Sequence, residues 1–308
     1  MSGSNFNEFV PGVSPAIGGH MLYDKRFEIG ADGISRFVKE FRLELLTDPS
    51  KADGMRAELA HEATLYQHLA EHGFSDMPED FDFDQTDHRL TIRAYKPEDG
   101  WLWDPPTNDT VTKYADDILE SLDSLAEIPP LTIPHESSSD LFLRKGWPKL
   151  FIPEVRDAVL ARMDAFEPHL HDFSRAGSLV LRDILSGVET DWPELAQSAA
   201  ARPATQLGHF DARPSNVAWH PEHGVRVIDW SWAANTVPHT DCTMFLIDLH
   251  KADVETRDLP GFDHHFDRGH AALLIGYWLA RSITPGPDQN VRFHQFASAA
   301  TAAALISS

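Results

Sequence analysis

Two runs near the start of the chain, His20–Ile29 and Ile34–Leu46, read as strands, and Gly30-Ala31-Asp32-Gly33 lies between them. Such runs joined through Asp-Gly predict a β-hairpin. In the second run Phe37, Lys39 and Phe41 share one face, with Val38 and Glu40 on the other. From about Asp53 to His72 the period becomes helical, with Leu59, Ala63, Tyr66 and Leu69 as the apolar stripe. Ser50 or Asp53 offers a cap for this helix and Gly73 a stop. Glu62 falls on the edge of the stripe, where a carboxylate faces inward and needs a partner. Phe81–Asp84 and Arg89–Tyr95 predict a further strand pair.

Lys96–Asn108 then brings three prolines, two tryptophans and Gly100, and marks a lobe boundary. Beyond it the pattern is mainly helical, over roughly 109–127, 153–170, 174–186, 191–200, 240–250, 264–282 and 288–305. Short β-like runs in Gln206–Trp232 interrupt the helices. Residues 1–18, rich in Gly, Ser, Asn and Pro, read as a flexible lead-in. No repeat of solenoid length is visible. A strand-rich first third and a helical remainder predict an α+β protein with a cleft between two lobes.

Composition narrows the function classes. The 308 residues carry 26 basic and 48 acidic side chains, a formal charge of −22. This excludes the basic footprint that nucleic acid or an anionic membrane requires. A salt-adapted surface and attraction of a cationic substrate both account for the excess. One cysteine, Cys242, allows no internal disulfide and no cysteine-based zinc site. Met1–Pro15 lacks the order of a secretory signal, and the longest apolar runs, Ala271–Ala280 and Ala297–Ile306, are too short to span a bilayer. The expected location is the cytoplasm.

The chemistry is concentrated in one stretch. His209-Phe210-Asp211 is followed by Asn216, five residues after the Asp. A turn at His220–Gly224 leads into an apolar strand, Val225–Ile228, which ends at Asp229-Trp230. Phosphoryl transfer needs a carboxylate to take the proton of the attacking hydroxyl, and hard oxygen ligands for magnesium on the nucleotide phosphates. An Asp, an Asn and a second Asp at this spacing supply both.

These motifs, with Asp241 in Pro238-His239-Thr240-Asp241, resemble the aminoglycoside phosphotransferase and choline kinase group, small-molecule kinases with the bilobal protein-kinase-like fold. Trp230, where protein kinases have Phe-Gly after the Asp, favours the small-molecule branch. The resemblance implies ATP, or GTP, and Mg2+ as cofactors and a hydroxyl of a small molecule as acceptor. It implies Asp211 as catalytic base, Asn216 and Asp229 as magnesium ligands, and Arg213 near the transferred phosphate. Asp241 would support the catalytic loop. A strand lysine paired with a helix glutamate would hold the nucleotide; Lys39 and Glu62 fit best, with Lys25 and Glu58 next. The lobes would divide as 19–97 for nucleotide and 98–308 for catalytic loop and acceptor, with the backbone near Arg93–Pro97 as the adenine hinge.

A Gly-x-Gly-x-x-Gly loop is missing; only Gly18-Gly19 and Gly30-x-x-Gly33 are nearby. The acceptor stays open among amino sugars, amino alcohols, antibiotics, sugars and nucleosides, as does the oligomeric state. A pseudokinase-like regulatory protein that binds nucleotide with little turnover is the alternative. A kinase acting on polypeptides is disfavoured, because the segment between Asp229 and Asp241 is short and no Ala-Pro-Glu follows. Hydrolase-elbow and P-loop motifs are absent. His264-His265 with Asp263, Asp267 and His270 invites a metal reading, but His265 and Asp267 do not share a helix face, and a packed or solvated helix is preferred. Trp101, Trp103, Trp147 and Trp278 are expected to pack, with Trp101 and Trp103 the two that could line the cleft instead.

Overall fold

The computed structural model describes residues 23–46, 48–131, 138–285 and 289–307. The lead-in 1–18, the Gly18-Gly19 pair and the first residues of the His20–Ile29 run lie outside them. Residues 23–131 and 206–233 group as one compact unit, and 138–205 with 234–307 as a second. This division differs from a boundary at 97/98. The segment after Gln206 groups with the β-rich part because its hairpin packs on elements of that part, as set out below.

In the first unit β1 (Tyr23–Ile29), β2 (Ser35–Phe41), β3 (Phe81–Asp84) and β4 (Arg89–Arg93) form an antiparallel sheet in the order β1-β2-β4-β3. The β1–β2 turn closes as its sequence predicts: Gly33 takes φ +78°, and the Asp32 carboxylate accepts from the Ile34 amide at 3.0 Å. Helix α1 (Ala52–Glu71) buries Leu59, Ala63, Tyr66 and Leu69. Neither Ser50 nor Asp53 caps it; Asp48 instead caps the short 3-10 turn Pro49–Lys51 that leads in. At its end Gly73 adopts φ +77° and the Phe74 amide reaches back to the Leu69 carbonyl, closing the helix as a left-handed glycine cap does.

The rest of this unit is α2 (Val111–Ser124), β5 (Gln206–Gly208) and the hairpin β6 (Val217–His220) with β7 (Gly224–Val227). Trp219 Nε1 donates to Asp117 Oδ2 on α2 at 2.7 Å, and the Val227 amide donates to the Asp76 carbonyl at 2.7 Å. Leu102 bridges Trp219 through two backbone bonds. Trp101 packs edge-on against Tyr95, and Trp103 Nε1 donates to the Tyr95 carbonyl at 2.9 Å. Both tryptophans thus pack against Tyr95.

The second unit holds α3 (Ser138–Lys145), α4 (Trp147–Leu150), α5 (Pro153–Phe166), α6 (Asp172–Leu185), α7 (Trp192–Ala200), β8 (Ala234–Thr236), α8 (Thr240–Lys251), α9 (Phe262–His265), α10 (Arg268–Ser282) and α11 (Gln289–Ser307). The short helices α3 and α4 are too brief for a periodic signal in the sequence. Small residues let α6 and α11 approach closely: a Cβ on Gly177 would sit 1.9 Å from the Ala300 carbonyl oxygen. Trp147 and Trp278 are buried packing residues, and Trp147 Nε1 donates to the Ala272 carbonyl. Among the described residues, no helix is long and apolar enough to cross a membrane.

Candidate active site

Lys39 stands on β2 directly opposite Lys25 of β1. Directly opposed residues of an antiparallel pair share a face, so both lysines and Tyr23 lie on the same side of the sheet. Lys39 Nζ is 2.7 Å from Glu62 Oε2 and 3.2 Å from Asp229 Oδ1, and it lies 5.0 Å above the Tyr23 ring. Lys39 and Glu62 are 6% and 2% exposed. Each charge so buried requires the other, which is why a carboxylate sits on the apolar side of α1. Glu62, not Glu58, makes this contact.

Burial works against the Lys39 charge, but Glu62 and Asp229 outweigh it and hold its ammonium protonated above the usual lysine range. Burial pushes the Glu62 carboxyl upward while Lys39 opposes it. At Asp229 burial is again overcome, by Lys39, then Lys25, then a hydrogen bond from Ser231, so its pKa is lowered to about 2. Lys25 is pulled the other way: burial lowers its pKa, Asp229 opposes and Lys39 reinforces the lowering.

The Asp229 backbone is left-handed, φ 60° and ψ 64°. That region is open to Asp more than to most side chains, and it turns the chain from β7 into the 3-10 turn Trp230–Trp232. Ser231 Oγ donates to Asp229 Oδ1 at 3.0 Å, and the Asp229 amide donates to the Tyr66 hydroxyl at 3.3 Å. Trp230 is buried between His209 and Phe74.

A second cluster is built from the loop after β5. Asn216 Nδ2 donates to the Asp211 carbonyl at 2.9 Å and to Asp211 Oδ2 at 2.8 Å. Arg213 Nη2 donates to the same Oδ2 at 3.0 Å. The arginine is therefore paired with the carboxylate for which the family resemblance implies the role of base. His209 Nδ1 accepts from the Asp211 amide at 3.2 Å, and Nε2 lies 2.8 Å from the Ile228 carbonyl. The two bonds together require the Nε2–H tautomer. The Ile228 amide in turn donates to the Asn216 carbonyl at 2.9 Å, so the strand that ends at Asp229 is tied to the loop that carries Asp211.

The structure thus brings Lys39, Glu62 and Asp229 together in one group, and Asp211, Arg213 and Asn216 in another beside it. Asp241 is buried in the first turn of α8. Sequence reasoning assigned no role to Tyr66 or Ser231, and placed Lys25 only as a substitute for Lys39. For Tyr66 there was a signal: it follows Glu62 by four residues on the same helix face.

The donor chemistry fits a magnesium nucleotide. Asp229 offers a carboxylate, and the doubly bonded Asn216 nitrogen turns its Oδ1 to the opposite side of the amide; both are the hard oxygen ligands that magnesium prefers. Lys39 and Lys25 are the cations on the same sheet face that phosphates require.

Residues 24–279 match the phosphotransferase enzyme family, and the chain belongs to that family. Its fold is similar to that of choline kinase LicA from Streptococcus pneumoniae (16% identity, 94% of each chain, TM-score 0.50). It is also similar to an aminoglycoside phosphotransferase from Alicyclobacillus acidocaldarius (14% identity, 97% and 96% of the two chains, TM-score 0.47). A third similar structure is a Plasmodium vivax ethanolamine kinase (10% identity, 91% and 82%, TM-score 0.47). No curated protein matches the sequence. The α+β, protein-kinase-like fold class expected from the sequence is borne out.

Proposed function

We propose that this protein transfers the γ-phosphoryl group of ATP, in a magnesium-dependent reaction, to a hydroxyl of a small molecule. One observation carries the reading furthest: residues from β2, α1 and the end of β7 converge on a Lys39–Glu62–Asp229 group, with Asp211 and Asn216 held on the adjoining loop. Magnesium–ATP, when bound, supplies the phosphoryl group and neutralises much of the charge that develops in transfer.

The chain's own residues do the rest. Asp229 and Asn216 Oδ1 hold the metal. Lys39, fixed by Glu62, positions the phosphates, and Lys25 opposite it adds a second positive charge on the same face. This second cation supports phosphate positioning in a chain without a Gly-x-Gly-x-x-Gly loop. Asp211, oriented by Asn216, takes the proton from the acceptor hydroxyl. Arg213 stabilises negative charge in the transition state once it exchanges its Asp211 contact for the phosphoryl group.

The test is stability in magnesium plus ATP or GTP against magnesium alone, followed by a turnover screen. The screen covers amino alcohols, amino sugars, neutral sugars, nucleosides and antibiotics. A magnesium-dependent rise in melting temperature that Asp229→Ala removes supports the site. No rise with either nucleotide at millimolar concentration overturns the reading.

A further inference from the structure

A histidine cluster lies in the helical unit, built from two places in the sequence. His239 is the residue before α8, and His264 and His265 are consecutive on α9. The fold brings the three rings together: centroids are 5.0 Å apart for His239–His264, 6.2 Å for His239–His265 and 4.9 Å for His264–His265. One ring nitrogen from each lies within 4.8 Å of the others. Three imidazoles with zinc–nitrogen bonds of about 2.0–2.1 Å on a tetrahedral centre have nitrogens roughly 3.3 Å apart. Reaching that spacing takes side-chain rotation of His264, which is exposed, and of its two half-buried partners.

The backbone under these rings is specified in detail. His239 takes φ 63°, a left-handed conformation uncommon for any residue but glycine, and its carbonyl accepts from the Thr243 amide at 2.9 Å. Gly261, at φ +78°, starts α9 and takes the His264 and His265 amides on its carbonyl. A Cβ on Gly261 would come within 3.3 Å of the His265 ring. Thr243 Oγ1 donates to the His265 carbonyl at 3.3 Å and accepts from the Asp267 amide at 2.9 Å, so α8 and the α9–α10 link are tied beneath the cluster. The carboxylate and imidazole that flank the pair in sequence serve elsewhere. Asp267 caps α10 and pairs with Arg202, and His270 is fully buried.

We propose that His239, His264 and His265 bind a divalent transition metal of the zinc type, which ties α9 to the start of α8. Imidazole suits zinc, cobalt, nickel and copper, whereas magnesium seeks hard oxygens. The site is therefore chemically separate from the magnesium ligands Asn216 and Asp229.

The experiment uses the full chain without an affinity tag, stripped with chelator and titrated with cobalt(II) and, separately, zinc. Because the chain has seventeen histidines, site variants decide the matter. Expected are one-to-one cobalt binding with visible d–d absorption and a zinc-dependent rise in melting temperature. Both should be weakened at least tenfold in His264→Ala and lost in the double variant His239→Ala/His264→Ala. His223→Ala, at another exposed histidine, should bind as the parent does. Circular dichroism of the metal-free variants separates lost binding from lost folding, and His264→Ala alone, at an exposed position, keeps the test valid if the double variant fails to fold. Absence of cobalt and zinc binding at hundreds of micromolar, or binding that His264→Ala leaves at the parent's strength, overturns the proposal.

Discussion

One amide nitrogen of Asn216 holds Asp211 twice, through the Asp211 backbone carbonyl and through its Oδ2. The pair locks the carboxylate relative to its own main chain, and it leaves the amide oxygen Oδ1 as the atom turned away from Asp211. A single side chain thereby sets the geometry of both the proposed base and one proposed metal ligand.

Asp211→Asn should therefore separate chemistry from binding. The isosteric amide keeps the fold but accepts no proton, so kcat should fall by roughly 10²–10⁴. The magnesium–ATP shift in melting temperature should persist. Parent-like turnover in this variant would remove Asp211 from the role of base.

Lys39→Met should affect both function and stability. It leaves Glu62 as a buried charge without its partner, and removing one member of such a pair costs about 3–5 kcal/mol. Denaturant unfolding of the apo protein should show that loss. Lys39→Met with Glu62→Leu should recover part of it without restoring nucleotide binding.

Lys25→Met tests the second phosphate cation. Its expected effect is a rise in KM for ATP of about tenfold, the size of one lost charge-assisted contact, with a smaller change in kcat. An unchanged KM with the parent's kcat would mean that Lys25 serves only the sheet.

His270 makes stability depend on acidity. Burial lowers its pKa to about 4 from an ordinary 6.5, with Asp267 opposing and Arg202 assisting. The unfolded chain therefore takes up a proton as pH falls below about 6.5, whereas the folded chain resists until about 4. Stability should fall through that window and level off beneath it, by as much as about 3 kcal/mol for this group. Measured unfolding free energies from pH 7 to pH 4 check the slope, which His270→Leu should flatten.

Gly177→Ala should destabilise the helical unit, because the added methyl meets the Ala300 carbonyl. Overpacking of this kind costs roughly 1–3 kcal/mol, read as a lower melting temperature.

Much of the candidate site was legible in the sequence. Asp211, Asn216 and Asp229 lie on one loop and one hairpin, so their spacing along the chain is nearly their spacing in space. The inward placement of Glu62 was also readable, since helical period records which side of α1 is buried. What lies across that side was not. The choice of Glu62 over Glu58, and the alignment of Lys25 with Lys39, depend on strand register and helix packing. The grouping of 206–233 with the β-rich unit depends on Trp219 reaching Asp117 and on Val227 reaching Asp76.

The histidines show the same division. By itself the sequence determined that His264 and His265 are adjacent, and that His265 and Asp267 do not share a helix face. Only the tertiary structure decided that His239, twenty-five residues before His264, turns its ring onto theirs. Periodicity reports the environment each residue faces, whereas the partner it meets is chosen by packing between segments far apart in the chain.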